Sequence, residues 1–313
     1  MIELGVLDLG VREPDNTATE AVKSVLSFSQ LCEELGYSRY WVAEHHEGNS
    51  SYCAPDILIG WLASQTHHIR LGSAGILLRY RDPYLTAQAF SLLGALYPNR
   101  IDLGIARGSI GGSIREYFAR QDTSPRLLDE KCARLARMFQ VNEKLSFLRP
   151  HEFLPTLWLM GGKNAALTAA KHKMNFCLDS FFQLPDDQQV KETLEQYTDT
   201  FRERSMTREP EYAVAIAGIC ATTEKEAQEL LNNSAASGFP IGLIKPAVVG
   251  SPETWKAYIA EKTERWGLTT LIVLVATLDP AARRKSLQLI AHLAGIGLME
   301  NEARLAVVRL NRK

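Results

Sequence analysis

The 313-residue sequence lacks the features of proteins that depend on disulfides, structural zinc, nucleic acid or membranes. Its five cysteines are scattered and odd in number, and no two have a Cys-x-x-Cys spacing, so neither a disulfide framework nor a zinc site is indicated. The formal net charge is −1 and no run of lysine or arginine stands out, which argues against a nucleic-acid surface. No basic region follows Met1, and no apolar run reaches the roughly 18 residues of a membrane span. We therefore expect a cytoplasmic protein whose partner is a small molecule.

The sequence does contain ample material for a large core, because 46% of its residues are hydrophobic. Apolar runs typical of buried strands alternate with segments of helical periodicity. Eight strands are predicted, at residues 3–9, 40–43, 69–78, 101–106, 156–160, 175–179, 212–221 and 269–277. Eight parallel strands joined by helices predict a (β/α)8 TIM barrel, with a doubly wound open sheet as the alternative. We expect one domain over residues 1–313 and a long loop over Gly238–Gly250.

The second predicted strand ends in three consecutive ionisable residues, Glu44, His45 and His46. In a barrel of this type the C-terminal ends of all strands meet on the active-site face. A histidine there is suited to moving a proton, with Glu44 orienting the ring or raising its basicity. Alternatively, these groups only hydrogen-bond to one another. Other polar residues expected on the same face are Asp8, Arg79, Arg107 and Asp179.

Two further segments favour a phosphorylated ligand. Arg107 follows an apolar strand and precedes a glycine, and a guanidinium can bind a phosphate through two hydrogen bonds. Gly161-Gly162-Lys163-Asn164 lies at a strand-to-helix turn, where free backbone amides attract anions. A structural salt bridge for Arg107 and a simple tight turn for the glycines are the alternatives. The small residues Gly72–Gly75 leave space for a planar group, unless they form a β-bulge or pack inside the barrel.

With these residues the chain resembles the bacterial luciferase-like flavin monooxygenase family. The resemblance is carried by Leu35–His46, Ile69–Gly75, Tyr97–Gly104 and Arg107–Gly108. It implies a (β/α)8 barrel, usually dimeric, that uses reduced FMN from a separate flavin reductase. In this family dioxygen adds to the flavin to give a peroxyflavin, which oxygenates a small organic substrate. The resemblance is specific over residues 1–110, weakens in the middle of the chain and returns around 156–162 and 250–293.

The resemblance also assigns roles to individual residues. His45 matches the catalytic histidine, and Ala74 and Gly75 match a pair joined by a non-proline cis peptide under the flavin ring. Arg107 matches the arginine that binds the flavin phosphate, and Arg126 lies where a second phosphate-contacting arginine is expected. The remaining expected phosphate contacts are Gly161, Gly162 and Lys163.

Several positions depart from the family pattern. Ala106 stands where light-emitting members have a reactive cysteine, which implies a non-luminescent enzyme. Arg79-Tyr80-Arg81 and Ser109-Ile110-Gly111-Gly112 also differ, and the extra arginines favour an acidic substrate as a hypothesis. Two other functions are retained at this point: a deazaflavin-dependent hydride-transfer enzyme and a flavin-binding protein without turnover. His45 counts against the last of these.

Overall fold

The computed structural model describes residues 2–13, 15–46, 50–108, 124–139, 154–205, 207–236, 239–240 and 242–296. The strands in these ranges are β1 (Glu3–Asp8), β2 (Arg39–Val42), β3 (Arg70–Ser73), β4 (Ile101–Ala106), β5 (Thr156–Gly161), β6 (Asn175–Asp179), β7 (Tyr212–Cys220), β8 (Pro246–Gly250) and β9 (Thr270–Val275). The helices are α1 (Ala18–Glu34), α2 (Pro55–Ser64), α3 (Pro83–Leu96), α4 (Pro125–Phe139), α5 (Lys163–Lys171), α6 (Asp187–Arg204), α7 (Glu224–Ala236), α8 (Pro252–Trp266) and α9 (Pro280–Ala294).

Eight of the strands form a closed parallel barrel. Each strand from β1 to β7 pairs with the next along the chain, β7 pairs with β9, and β9 pairs with β1. The pairing between the first and last strands closes the sheet, which excludes the doubly wound open sheet. The predicted (β/α)8 barrel is confirmed.

The strand β8 was not predicted, because the segment Gly238–Gly250 was expected to be a loop. Within this segment Pro246–Gly250 pairs in parallel with residues 217–220 of β7. The strand β9 pairs with residues 214–218 of the same strand, so β8 lies on the opposite edge, where β6 has already ended. A five-residue strand between a proline and a glycine has the composition of a turn, and only the free edge of β7 makes it a strand.

Side chains at the helix starts explain why the helices begin where they do. The hydroxyl of Thr17 and the side chain of Glu20 form a capping box on α1, and Asp186 with Gln189 does the same on α6. Proline is the first residue of α8 and α9, where its missing N–H costs nothing. These local signals agree with the barrel order, which places each helix after its strand.

The barrel interior is filled unevenly from one end to the other. Trp41 and Trp158 are fully buried inside it, with their ring centroids 5.2 Å apart. Toward the C-terminal ends of the strands the inward-facing side chains become small: Ala43, Ala74, Ala106 and Ala276. Large aromatic rings therefore occupy the barrel interior, and these four positions present only methyl groups at its mouth.

Buried charges close the N-terminal end of the barrel. The carboxylate of Asp102 is fully buried and accepts hydrogen bonds from Trp41 Nε1 at 2.9 Å and Arg70 Nε at 3.0 Å. The guanidinium of Arg39 lies 3.4 Å from the same carboxylate and 5.0 Å from the centroid of the Trp158 ring. Because a buried ion is costly unless it is paired, these groups depend on one another.

Membrane-spanning helices and metal-binding clusters are absent from the residue ranges given above. No helix there has the length and hydrophobicity that crossing a membrane requires. In the same ranges no three His, Cys, Asp or Glu side chains are grouped so that they could hold a metal ion. All five cysteines are free, and four of them are buried.

Candidate active site at the barrel mouth

His45 lies at the mouth of the barrel, three residues after β2 ends. Its Nδ1 is 2.8 Å from the carbonyl oxygen of Leu9. Because a carbonyl oxygen only accepts, Nδ1 carries the hydrogen in this bond, and Nε2 of the neutral ring keeps its lone pair. Nε2 has no hydrogen-bond partner within the described part of the chain, and the residue is exposed. The ring is therefore fixed at one nitrogen and open to a ligand at the other.

The carboxylate of Glu44 forms its hydrogen bonds with groups other than the ring of His45. It is 2% exposed and accepts hydrogen bonds from the backbone N–H of Leu77 and from Arg81 Nε, both at 3.0 Å. The ring it orients belongs to His46, whose Nε2 lies 2.7 Å away. The expectation that Glu44 orients or activates the proton-transfer histidine is therefore corrected. Successive side chains of an extended chain point to opposite sides, so Glu44 and His46 share one side and His45 has the other.

Three other residues expected on the active-site face are bound within the protein. Arg81 is held by Glu44 and by Asp56 at 3.2 Å, so its charge is not available to an acidic substrate. Arg79 reaches the carbonyl oxygen of Gly108 at 3.5 Å. Asp8 points away from the mouth and pairs with Arg283 at 2.9 Å. Burial opposes the ionisation of Asp8, but Arg283, Tyr40 and a backbone N–H together lower its pKa.

The peptide bond between Ala74 and Gly75 is cis, so the geometry expected for this pair is confirmed. A Cβ added at Gly75 would lie 2.5 Å from the carbonyl carbon of Ile105 and 2.6 Å from the N of Ala106. Only glycine therefore fits between β3 and β4 at this point. The methyl group of Ala74 faces the inside of the barrel and is partly exposed at its mouth.

The expected phosphate-binding residues lie at the ends of neighbouring strands. Ala106 pairs with Met160, which places Arg107 beside Gly161. Arg107 is exposed and forms no ion pair with any described residue. Gly162 is the N-cap of α5, no side chain caps this helix, and a Cβ on Gly162 would meet nothing within 4 Å. The free amides of α5, the exposed Lys163 and Arg107 together form an electropositive, open position.

Arg126 belongs to α4 and not to the strand ends that carry these residues. It lies in the first turn of α4, its side chain is 87% exposed, and its Nε is 2.8 Å from Glu130. One turn further along, Asp129 pairs with Lys171 and His172 at the C-terminal end of α5. The electropositive position lies at the other end of that nine-residue helix, roughly 13 Å from its C-terminal end. The loop Ser109–Gly112 lies outside the described residues.

Asp179 lies at the mouth, as expected, but sequence reasoning gave it no role. It is the last residue of β6 and faces inward, on the same side as Cys177 below it. Burial raises its pKa to about 7, although its own backbone N–H and the charge of Arg107 act in the opposite direction. The sequence signal for such a role was the position of an acidic residue at the end of an otherwise apolar strand.

The chain is similar to known proteins over most of its length. The model of a family described as luciferase-like monooxygenase matches residues 2–249. The N-acetyl-S-alkylcysteine monooxygenase of Bacillus subtilis is 31% identical over 279 residues, which cover 86% of this chain and 82% of that protein. The solved structure of apo-MsnO8 has a TM-score of 0.83 and 26% identity and covers 95% of this chain and 99% of its own. The oxygenating constituent of 3,6-diketocamphane monooxygenase from Pseudomonas putida, solved with FMN, has a TM-score of 0.75 and 20% identity over 93% of this chain and 97% of its own.

We predict that Glu44→Gln destabilises the protein by about 2–3 kcal/mol, because Arg81 and His46 lose a buried charged acceptor. The free energy of unfolding is measured by urea denaturation. The matched control is Glu229→Gln, which removes an exposed pair to Lys225 and should cost about 0.5 kcal/mol or less. Equal effects of the two substitutions would show that the Glu44 contacts do not stabilise the fold.

Proposed function

The chain belongs to the luciferase-like monooxygenase family and is a flavin-dependent monooxygenase. We propose that it uses reduced FMN and dioxygen to oxygenate a small organic substrate. The observation that supports this best is the position of three features on one face of the barrel. These are the ring of His45, the cis pair Ala74–Gly75 and the electropositive position at Arg107 and Gly162. A separate reductase is proposed to supply the reduced flavin, as the family resemblance implies. We also propose that the chain is one domain, because strands between residues 3 and 275 close a single barrel.

The described residues fit the phosphate of FMN. A phosphate needs hydrogen-bond donors and positive charge, and the first turn of α5 provides uncapped amides. Arg107 and Lys163 would add two cations that no described residue neutralises. The open space at Gly162 would admit an anion against the backbone. Arg126 is not part of the proposed contact.

The mouth also fits a planar ring. Ala43, Ala74 and Ala106 present only methyl groups to the interior, and larger side chains at these positions would fill that space. When bound there, reduced flavin supplies the two electrons that activate dioxygen. Ala106 has no nucleophilic side chain, in agreement with a non-luminescent enzyme.

The role we propose for His45 is to hold or move a proton at Nε2. The carbonyl oxygen of Leu9 fixes the other nitrogen, so the ring need not rotate or change tautomer to accept a proton. Glu44 supports the neighbouring backbone through Leu77 and Arg81 and is a positioning residue at most.

The proposed reaction is tested by anaerobic titration of the protein with reduced FMN and, separately, with reduced deazaflavin coenzyme. Isotopically labelled oxygen is then admitted in the presence of a panel of small organic thioethers, ketones and amines. Preferential binding of FMN and incorporation of labelled oxygen into a panel member are expected. Preference for the deazaflavin without oxygen incorporation would identify the hydride-transfer alternative, and flavin binding without any turnover would identify a flavin carrier.

We predict that His45→Ala lowers the rate of oxygen incorporation by roughly a hundredfold or more, as the loss of a general acid or base does. Its affinity for FMN should remain within a few-fold of wild type, because the phosphate position is formed by other strands. Both quantities are measured on the same preparation. Undiminished turnover would show that the proton passes through another group.

We predict that Arg107→Ala weakens FMN binding by roughly 10- to 100-fold, the effect of about 1.5–3 kcal/mol for a hydrogen bond to a charged group. Riboflavin, which has no phosphate, should bind the variant as it binds wild type. The control is Arg202→Ala, which removes an exposed arginine paired with Glu209. Equal weakening of FMN and riboflavin would contradict the phosphate contact.

We further propose that the protein is a homodimer formed through α2 and α3. These helices contact each other and share an exposed apolar face consisting of Ile57, Trp61, Leu85, Leu92 and Leu96, each 37% to 76% exposed. A two-fold axis beside this face would bury it against the same face of a second copy.

We predict that the double substitution of Leu85 and Leu92 by glutamate converts a dimer of roughly twice 34.9 kDa into a monomer. The mass is measured by light scattering after gel filtration. Leu243→Glu introduces the same charge at a 69% exposed leucine outside this face and should leave the dimer intact. A monomeric wild type would refute the proposal.

A further inference from the structure

The backbone register places a carboxylate beside the proposed phosphate position. Gly161 of β5 pairs with Leu178 of β6, so the next residues along the two strands, Gly162 and Asp179, also lie side by side. Arg107 follows β4 on the other side of β5. An acid, an uncapped helix N-terminus and an arginine therefore occupy the ends of three adjacent strands.

The negative charge of the Asp179 carboxylate has few stabilising partners at this position. Its side chain forms no hydrogen bond or ion pair with a described side chain, and Arg107 acts on it only through its charge. The side chain faces inward among Cys177, Phe181 and Ala215, which supply no donor to the carboxylate. Its ionised form is stabilised first by its own backbone N–H and then by the charge of Arg107, a cation that the cofactor phosphate would also use.

We propose that Asp179 is a residue of the cofactor site and that it takes up a proton when FMN binds. The phosphate would pair with Arg107, which then no longer stabilises the carboxylate, and it would place a like charge beside that carboxylate. This inference rests on the proposed function and concerns the same site. The carboxylate form of Asp179 would repel the phosphate, whereas the neutral acid would not.

The other titratable groups near Asp179 do not take over the role of Arg107 in stabilising its carboxylate. Lys163 at the start of α5 and Lys245, whose backbone N–H donates to the carbonyl oxygen of Phe181, are both exposed. Burial raises the pKa of Cys177 well above its ordinary value, so its thiol stays neutral. On the β7 side the neighbour of Asp179 is Ala215, which does not titrate.

The direction of the pH dependence follows from linkage. In the free protein the pKa of Asp179 is about 7, and bound phosphate would raise it further. Below pH 7 the acid is protonated in both states and FMN binds at full affinity. As the pH rises, the free protein loses this proton first, so the affinity falls until the acid of the complex also ionises. The phosphate of FMN titrates near pH 6, outside the range above pH 7.

The experiment measures FMN and riboflavin affinity between pH 7 and 9 by quenching of flavin fluorescence, for wild type and for Asp179→Asn. In wild type the FMN affinity should fall by about fivefold over this range, because a rise of about one pKa unit gives about tenfold in total and Asp179 of the free protein is already about half ionised at pH 7. In the variant it should stay constant and exceed that of wild type at pH 9. Riboflavin carries the same ring without the phosphate, so it should show no such dependence.

A second measurement does not need the variant to fold. Calorimetric titration of wild type with FMN at pH 7.5, in two buffers with different ionisation enthalpies, should show uptake of roughly half a proton. Release of protons, no uptake, or equal pH dependence for riboflavin would overturn the role of Asp179 while leaving FMN as the cofactor. Absence of binding by wild type at every pH, with both oxidised and anaerobically reduced FMN, would instead refute the proposed cofactor, and this inference with it.

Discussion

The alternation of side chains along the barrel strands determines most of what the active site contains. In a closed parallel barrel one set of side chains faces inward and the other faces the helices, and a shift of one residue would exchange the two sets. The consequence is clearest just past the end of β2, where adjacent residues have unrelated environments. Glu44 is buried against Arg81, whereas His45 faces the mouth and is held by the Leu9 carbonyl oxygen. The same alternation turns Asp8 toward Arg283 and Asp179 toward the mouth.

The N-terminal and C-terminal ends of the barrel differ in how some of their charged side chains are paired. At the N-terminal end the charges are paired and buried, with Asp102 between Arg39 and Arg70. At the C-terminal end Arg107 and Lys163 are exposed, and the methyl groups of the alanines leave space. The charges at the N-terminal end are thus paired within the protein, and the proposed ligand binding would rest on the cations at the mouth that no described residue neutralises.

The sequence was sufficient to predict the barrel and one backbone feature at its mouth. Strong apolar runs and caps fixed the order of strands and helices, and the resemblance to the family identified the cis bond between Ala74 and Gly75. The partners of individual side chains were not predictable. The expectation that Glu44 serves His45 was wrong because sequence proximity conceals the side of the strand. Arg126 was expected near the phosphate, but its distance from Gly162 depends on how α4 packs against α5.

The strand β8 gives the mouth of the barrel an uneven height. It continues along the edge of β7 from the point where β6 ends, and the backbone N–H of Lys245, just before it, bonds to the carbonyl oxygen of Phe181. On this side the hydrogen-bonded wall extends about four residues further than β6 alone would allow. A molecule in the mouth would meet hydrogen-bonded sheet on this side. Its direction of entry is therefore restricted by main-chain geometry, which side-chain substitutions change very little.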